Sequence, residues 1–242
     1  MQAIGVIPAR WGSTRFEGKV LAKINGKTMI EHVWQRSRQS RLLKEVIIAC
    51  DDERIVKAAQ AFGAKAVLTS KDHASGTDRI AEATAKIAAE IVVNIQGDEP
   101  LIHHSMIDSL VKALNKDAAC LMATVIKSIR TKEELENPNV VKAVIDVNGN
   151  ALYFSRAAIP YDRDKAGIVK IKYYKHLGIY AYRKKFLMKF KGIPKSHLEQ
   201  AEQLEQLRAL EAGVKIKTVL TDVETIGVDT PEDLLRVTRV LR

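Results

Sequence analysis

The segment from Ala9 to Lys19 has the side chains that proteins use to hold phosphate. It follows the first apolar run of the chain and contains three cations (Arg10, Arg15 and Lys19), two hydroxyl residues and two glycines. Glycine lets the backbone approach an anion closely, and backbone N–H groups together with Arg or Lys then surround its oxygens. The same composition is also typical of an ordinary basic surface loop. Composition alone therefore leaves both interpretations open.

Two aspartates stand at the ends of later apolar runs. Asp98 follows the run Ile91 to Ile95, and Asp229 follows the run Thr225 to Val228. If both runs are strands of one sheet, both carboxylates lie at the edge where open α/β sheets bind ligands. Mg²⁺ takes oxygen ligands, usually one or two carboxylates with water and phosphate. The pair thus predicts a Mg²⁺ site, although Asp98 also fits a turn and Asp229 a helix cap before Pro231.

The first half of the chain alternates short apolar runs with longer amphipathic segments. This alternation predicts parallel βαβ units with right-handed crossovers, and hence an α/β fold with a doubly wound, mostly parallel sheet. The predicted strands are Ala3 to Ala9, Glu45 to Cys50, Ala66 to Thr69 and Ile91 to Ile95. The predicted helices are Met29 to Ser40, Asp52 to Phe62, Asp78 to Ala89 (with Thr77 and Asp78 as caps) and Ser105 to Leu114.

The second half is less regular and predicts a smaller antiparallel lobe. Val140 to Val147 and Ala151 to Phe154 flank Asn148-Gly149-Asn150, a pattern typical of a β-hairpin. The other predicted elements are a strand from Lys175 to Arg183, a helix from Leu198 to Glu211, a strand from Thr225 to Val228 and a final helix that begins at Pro231. Because no linker or repeat interrupts the chain, we expect a single domain over residues 1–242, with residues 140–190 as an inserted antiparallel lobe.

The composition argues against several classes of protein. The 242 residues have a net charge of +10, but the cations are spread along the chain and aromatic residues make up only 5%. This is too few for a base-stacking surface, so we expect no nucleic-acid partner. No stretch approaches the roughly 20 apolar residues that span a bilayer, and no signal-peptide pattern occurs, so we expect a cytoplasmic protein without membrane contact. Cys50 and Cys120 lie in apolar runs, which predicts buried free thiols.

A family resemblance is carried by the loop after the first strand. The dinucleotide motif Gly-x-Gly-x-x-Gly is absent there, which argues against an NAD-dependent oxidoreductase. Ile7-Pro8-Ala9-Arg10 with Ser13, Arg15 and Gly18-Lys19 instead resembles the signature of nucleotidyltransferases that activate acidic sugars as CMP conjugates. Seven further segments of that family occur in order, namely Asp51–Ile55, Ser75–Arg79, Asn94–Pro100, Tyr153–Arg156, His176–Arg183, Leu204–Arg208 and Gly227–Asp233. Over nearly the whole chain, they resemble the members that act on 3-deoxy-manno-octulosonate (Kdo).

The resemblance implies a Mg²⁺-dependent enzyme that transfers CMP from CTP to the anomeric hydroxyl of Kdo and releases pyrophosphate. It implies Lys19, Arg10, Asp98 and Asp229 as the catalytic groups, with the two aspartates holding the metal. The implied nucleotide-binding residues are Ala9, Arg10, Ser13, Arg15, Lys19, Ser75, Gly76, Arg79 and Asp98, and the implied sugar-binding residues are Gln96, Arg156, His176, Glu205 and Gln206. Members of the family are typically homodimers that supply lipopolysaccharide synthesis in Gram-negative cells or pectin synthesis in plants. The resemblance thus implies a homodimer, with residues 140–190 as its dimerisation lobe, and lipopolysaccharide synthesis as the expected pathway.

Several of these residues have simpler explanations when taken one by one. Arg156 suits a sugar carboxylate because a guanidinium binds it at two points. A lone histidine such as His176 is more often structural, and Glu205 and Gln206 lie beside the apolar stripe of a predicted helix, where a solvated face is the default. The segment Ser75–Arg79 by itself indicates only a helix N-terminus.

The chain departs from the family at one point in the first loop. The family usually has Leu-Pro-Gly-Lys-Pro where this chain has Phe16-Glu17-Gly18-Lys19-Val20. Loss of both prolines is expected to loosen the loop, and Glu17 is expected to bring a negative charge towards the phosphates. The alternatives are a cytidylyltransferase for another ulosonate, such as sialic acid or 8-amino-Kdo, and a basic binding module without catalysis.

Overall fold

The computed structural model describes residues 1–12 and 16–241. They divide into two compact units. The first contains residues 1–111 and the chain from Glu224 onward, and the second contains Lys112–Val223. The single domain expected for residues 1–242, and the dimerising role of its lobe, stay predictions.

The helices are α1 (Met29–Ser37), α2 (Glu53–Ala61), α3 (Gly76–Thr84), α4 (His104–Lys116), α5 (Lys132–Glu136), α6 (Lys184–Phe190), α7 (His197–Glu202), α8 (Gln206–Glu211) and α9 (Pro231–Val240), with a 3₁₀ turn at Lys19–Leu21. The strands are β1 (Ala3–Ala9), β2 (Lys23–Ile24), β3 (Lys27–Thr28), β4 (Leu43–Cys50), β5 (Lys65–Leu68), β6 (Ile91–Asn94), β7 (Met122–Ser128), β8 (Lys142–Ile145), β9 (Ala151–Ser155), β10 (Tyr174–Arg183) and β11 (Ile216–Leu220). Among the helices of the described chain, none is long and apolar enough to cross a membrane.

In the first unit, four strands form a parallel sheet in the order β6, β1, β4, β5. Their side chains are almost entirely buried and apolar in β1 and β6, as expected for strands covered on both faces. The register pairs Ala9 with Cys50, so the residues that follow β1 and β4 leave the sheet side by side. The predicted parallel α/β fold is confirmed, and this sheet edge carries the candidate site.

The second unit contains mainly antiparallel pairs. Strand β10 runs antiparallel to β7 and β8, and β8 runs antiparallel to β9, while β11 lies parallel to β7. The predicted hairpin is confirmed as β8 and β9, joined by a turn in which Gly149 has a φ of +72°. Strands β7 and β11 were not predicted from the sequence.

The predicted helix from Leu198 to Glu211 is wrong, because it is broken into α7 and α8 at Gln203, whose φ is +54°. Arg208 in α8 forms a buried ion pair with Glu199 in α7, with an N–O distance of 2.5 Å. Residues nine apart lie roughly 13 Å apart along a straight helix, so this contact requires the break. A tertiary contact thus overrides the apolar periodicity of the segment.

Two other predicted elements differ from the structure. Residues Thr225 to Val228 form no strand; instead the N–H of Val228 donates to the carbonyl of Asp98 at 2.9 Å. The third helix ends at Thr84 instead of Ala89, and its cap is Ser75 instead of Thr77 or Asp78. The predicted start of the final helix at Pro231 is confirmed, with Thr230 as its cap.

Candidate active site

Lys19 lies between two carboxylates that come from distant parts of the chain. Its Nζ is 2.9 Å from Oδ2 of Asp98 and 3.1 Å from Oδ1 of Asp229. Gly18, with a φ of +65°, turns the backbone into the short 3₁₀ helix that begins at Lys19. The structure therefore brings together three of the four predicted catalytic residues within the first unit.

The charges of this cluster favour an ammonium on Lys19. The Lys19 side chain is only 12% exposed, and this burial opposes its charge, but the charges of Asp98 and Asp229 and their hydrogen bonds outweigh burial and raise the pKa of Lys19. Lys19 thus remains charged at neutral pH and can meet an anionic substrate at this point.

Asp98 and Asp229 fit the donor set of a Mg²⁺ site. No group of three or more His, Cys, Asp or Glu side chains within the described ranges is arranged to hold a metal. Two carboxylates are nevertheless what Mg²⁺ commonly takes from a protein, because water and substrate phosphates supply its other ligands. The residues present thus suit an ion that binds together with a nucleotide.

Local packing sets the position of each carboxylate. Gly97 lies so close to the end of β1 that a Cβ there would be 2.8 Å from the carbonyl oxygen of Pro8. Val228 binds the Asp98 carbonyl through its N–H, and its side chain is buried in a cluster with Ile24 and Val237. Asp229 therefore follows a residue that is anchored both to the Asp98 turn and to the apolar core.

Trp11 organises the described part of the loop after β1. Its N–H donates to Oδ1 of Asp51 at 2.9 Å, and its carbonyl accepts the N–H of Gly18 at 3.1 Å. Its indole N–H donates to the carboxylate of Glu17 at 2.9 Å, and the Arg54 guanidinium lies 3.5 Å from the ring centroid. The Glu17 carboxylate, expected to face the phosphates, thus has a hydrogen-bond partner in Trp11.

The segment predicted to recognise the base begins α3 in the first unit. The Ser75 hydroxyl accepts the N–H of Asp78 at 3.1 Å, and Gly76 packs against the side chain of Pro8. The Arg79 side chain has no exposed surface; burial lowers the pKa of its guanidinium, and the Asp51 charge only partly opposes this. Two Arg79 nitrogens donate to protein oxygens of Asp51, Thr69 and Ser70, so its predicted contact with nucleotide stays a prediction.

The remaining residues of the predicted nucleotide set are only partly described. Ala9 ends β1, and Arg10 follows it as a half-buried side chain whose charge acts on Arg79. The predictions for Ser13 and Arg15 fall outside the described residues.

In the second unit, His176 is a neutral ring in an aromatic setting. Its ring centroid lies 4.9 Å from that of Phe154 and 5.3 Å from that of Tyr180, and burial lowers the pKa of His176 to about 3. Its Nε2 is 2.8 Å from the hydroxyl of Thr124, which itself donates to the carbonyl of Ile179 at 2.8 Å. Because that hydroxyl has one proton, it donates to one of these two acceptors at a time, and while it donates to Ile179 it accepts from Nε2 of the neutral ring.

Gln206 lies beside this aromatic group at the start of α8. It is 3% exposed, and its Oε1 accepts the hydroxyl of Tyr180 at 3.1 Å. Its amide nitrogen is buried and has no hydrogen-bond partner within the described ranges. Glu205 is the N-cap residue of α8, directly after the break at Gln203. Gln96, the remaining predicted sugar residue, belongs to the first unit and donates to the Asn94 side chain at 3.4 Å.

Arg156 is anchored by backbone carbonyls. Its Nε donates to the carbonyl of Glu202 at 2.8 Å, and one terminal nitrogen donates to the carbonyl of Pro138 at 3.1 Å. The Glu202 carboxylate accepts the N–H of Arg156 and the hydroxyl of Ser155. The fully buried Lys142 donates to the carbonyl of Asn137, and burial lowers its pKa. Among the described residues the other terminal nitrogen has no hydrogen-bond partner, so Arg156 is oriented with that nitrogen available.

Three charged residues beside these sites belong to no role predicted above, namely Asp51, Lys142 and Glu202. Asp51 directly follows β4, so its position at the carboxyl end of a central strand was a usable signal. Lys142 in a strand and Glu202 in a helix carried no such signal, because charged residues are common at both kinds of position.

The chain matches a family model described as cytidylyltransferase over residues 4–216. A 3-deoxy-manno-octulosonate cytidylyltransferase from Geobacter sulfurreducens is 49% identical, over 100% of this chain and 100% of that protein. The protein of the same name from Syntrophobacter fumaroxidans is 52% identical, over 100% of this chain and 97% of its own length. Similarity at this level extends through both units.

Solved structures agree with the sequence comparison. A CMP:2-keto-3-deoxy-manno-octonic acid synthetase complexed with CTP has a TM-score of 0.95 and 45% identity, covering 100% of this chain and 98% of that one. A putative glucose-1-phosphate thymidylyltransferase from Bacillus anthracis has a TM-score of 0.69 at 17% identity, covering 99% and 95% of the two chains. The second likeness indicates a shared fold alone.

Proposed function

The chain belongs to the cytidylyltransferase family, and from that premise we propose that it transfers CMP from CTP to Kdo with release of pyrophosphate. The observation that carries the site is Lys19, held within 3.1 Å of both Asp98 and Asp229. A cation beside two carboxylates, at the end of a parallel sheet, suits an α-phosphate that is accompanied by a metal ion. The sugar assignment rests on the names of the relatives at 49 to 52% identity.

The reaction is a displacement at phosphorus. The oxygen of the anomeric 2-hydroxyl of Kdo forms a bond to the α-phosphorus of CTP, and the bond from that phosphorus to the α–β bridging oxygen breaks. Both bonding electrons leave with pyrophosphate, and the hydroxyl proton passes to solvent. Lys19 binds the α-phosphate and stabilises the charge that grows there, while Arg10 and Arg15 bind phosphate oxygens.

Asp98 and Asp229 would hold Mg²⁺, which when bound neutralises phosphate charge and acidifies the sugar hydroxyl. The position of Lys19 supports this division of roles, since its Nζ lies within 3.1 Å of both carboxylates that would hold the ion. Ser75, Gly76 and Arg79 are proposed to form the base-recognition segment.

Sugar recognition is assigned to Gln96, Arg156, His176, Glu205 and Gln206. Arg156 suits the Kdo carboxylate because its guanidinium is already oriented by two carbonyls and keeps a terminal nitrogen available. The neutral His176 and the buried amide nitrogen of Gln206 suit uncharged hydroxyls, because neither adds a charge to the site.

We also propose that the enzyme is a cytoplasmic homodimer that supplies lipopolysaccharide synthesis. The dimer is supported by large apolar residues exposed in the segment from 140 to 190, among them Val147, Tyr161 and Val169. Sedimentation of the wild-type protein and of a Tyr161→Ser/Val169→Ser variant tests it, and identical monomeric profiles for both proteins would count against it.

The test of function is pyrophosphate release with Mg²⁺, crossing four nucleoside triphosphates with Kdo, 8-amino-Kdo, sialic acid and a neutral hexose phosphate. We expect release with CTP and Kdo. Release with CTP and another acid alone would retain the reaction and replace the sugar. No release with any pair, from folded protein, would refute the proposal.

A further inference from the structure

The peptide unit of Trp11 is held from both sides. Its N–H binds Oδ1 of Asp51 at 2.9 Å, and its carbonyl binds the N–H of Gly18 at 3.1 Å. Gly18 also packs on the Trp11 ring, because a Cβ on Gly18 would lie 3.0 Å from a ring carbon. Since Lys19 follows Gly18 directly, a displacement of Trp11 is passed to the backbone of Lys19.

Asp51 joins this peptide to a buried cation. While its Oδ1 accepts from Trp11, its Oδ2 accepts from a terminal nitrogen of Arg79 at 3.0 Å. The Asp51 side chain is 12% exposed and that of Arg79 is not exposed. The carboxylate therefore has both oxygens bound, one by the buried guanidinium of Arg79 and the other by the N–H of Trp11.

Arg79 is fixed independently of the loop. Its other terminal nitrogen donates to the hydroxyl of Thr69 at 2.6 Å, and its backbone belongs to α3, which packs against β1. A buried guanidinium needs a charged partner, and Asp51 is its ion-pair partner within the described residues. Arg79 thus holds Asp51, Asp51 holds the N–H of Trp11, and the carbonyl of Trp11 holds Gly18, which directly precedes Lys19.

We propose that Asp51, oriented by Arg79, is a positioning residue that sets Lys19 for phosphate transfer through the Trp11 peptide. The hydrogen bonds of Asp51 go to Trp11 and Arg79 and those of Lys19 to Asp98 and Asp229, so Asp51 is proposed to act on Lys19 through the loop. The expected effect on catalysis rests on the proposed function. The expected effect on the loop does not, because it can be measured without substrate.

The variant Asp51→Asn tests this with little change of shape. In Asp51 each oxygen accepts one of the two bonds, and a side-chain amide in the same position keeps only one of them, because its other atom is a donor. Losses at residues that orient a functional group are commonly about 10- to 100-fold, so we expect kcat with CTP to fall by that factor. The KM for Kdo should stay within about twofold of wild type, because sugar recognition is assigned to other residues.

Glu53→Gln is the matched control, since it makes the same chemical change at an exposed residue two positions away. It should keep wild-type kcat and KM. If Asp51→Asn fails to fold, Asp51→Ala/Arg79→Met removes both charges of the buried pair. Its readout is increased acrylamide quenching of Trp11 fluorescence, because its kcat would also report the proposed contact of Arg79 with the base. Wild-type kcat in a folded Asp51 variant would overturn the proposal.

Acrylamide quenching of tryptophan fluorescence measures the loop without substrate. Trp11 is half-buried, whereas Trp34, the other tryptophan, is only 6% exposed, so quenching reports mainly Trp11. We expect a larger quenching constant in Asp51→Asn than in wild type or Glu53→Gln. An unchanged constant would overturn the positioning role. If wild type released no pyrophosphate, the proposed function would have failed, and quenching would still decide whether Asp51 orders the loop.

Discussion

The two candidate sites differ in how their residues are held. In the first unit, Lys19 binds both Asp98 and Asp229, across sequence separations of 79 and 210 residues. In the second unit, Arg156 and His176 instead bind protein carbonyls and a hydroxyl, within a setting of buried or neutral groups. The first site is thus a set of charges that a phosphate and a metal can join, whereas the second is shaped by packing before any ligand binds.

Because of this difference, substitutions at the two sites should have different effects. Removing a charge from the first unit should reduce the rate with the nucleotide, because that charge acts on the reacting phosphate. Removing a group from the second unit should weaken sugar binding and also disturb local structure, because the same atoms support the fold.

Asp98→Asn should have the largest effect. Metal ions contribute several kcal/mol to such reactions, so we expect kcat/KM for CTP to fall by about 1000-fold or more at ordinary Mg²⁺ concentrations. Asp164→Asn, at an exposed aspartate of the second unit, is the control for the same chemical change. Full activity of Asp98→Asn in a pyrophosphate assay would remove the metal assignment.

Lys19→Met should lower kcat by about 100- to 1000-fold, because it removes the cation at the reacting phosphate. Lys23→Met, at an exposed lysine four positions away, should retain wild-type rates. Steady-state kinetics with both substrates measures the effect. A Lys19 variant with normal kcat and only a raised KM would show that Lys19 binds substrate without acting on the reaction.

Arg156→Lys should raise the KM for Kdo by about 10- to 100-fold while leaving the KM for CTP within about twofold, because lysine cannot replace the paired N–H groups. It should also lower the free energy of unfolding by about 1 to 3 kcal/mol, since the bonds to Glu202 and Pro138 are weakened. Arg163→Lys, at an exposed arginine, is the control. Equal increases in both KM values would contradict the separation of the two sites.

The smallest effect is expected on stability in acid, and His176→Gln measures it beside the weaker sugar binding expected of a change in this unit. Because the pKa of His176 is about 3 in the folded chain, below its ordinary value, the unfolded chain binds the extra proton between those two values. Stability from the neutral ring is complete above about pH 6.5 and is lost as pH falls towards 3. In that range the free energy of unfolding of the wild type should fall by up to about 1.4 kcal/mol per pH unit because of this group. His176→Gln lacks the group and should not show that part of the decrease.

Urea unfolding at pH 7 and pH 5 measures this difference. The exposed His197 provides the control, His197→Gln, which we expect to keep the wild-type loss of stability on acidification. Identical pH dependence in wild type and His176→Gln would mean that the pKa of His176 is not lowered in the folded protein.

Much of the first unit could be predicted, because its signals are local. Buried runs identify parallel strands, and polar residues directly after them must lie at one edge of the sheet. Asp98 was predicted on this basis. Asp229 joins the same cluster although its predicted strand does not exist, because Val228 binds the Asp98 turn through a single backbone hydrogen bond.

The second unit was harder to predict because long-range contacts decide its details. The apolar stripe of Ala201, Leu204 and Leu207 fits one continuous helix, yet the ion pair of Glu199 with Arg208 needs a break at Gln203. The support of Arg156 by the carbonyls of Glu202 and Pro138 is equally invisible in sequence, since any residue type supplies a carbonyl. In the first unit, the hydrogen bond from the Trp11 indole to the Glu17 carboxylate was not predicted either, because it depends on how the loop folds.

The most direct test of the central claim follows labelled phosphorus from CTP. The folded protein is incubated with Mg²⁺, Kdo and CTP labelled either at the α- or at the γ-phosphorus, and the products are separated. Our account predicts that the α-label enters a sugar conjugate in equal amount to the pyrophosphate that carries the γ-label, and that Asp98→Asn forms neither product. Transfer of the γ-label to the sugar, or release of pyrophosphate without α-label in a conjugate, would contradict it.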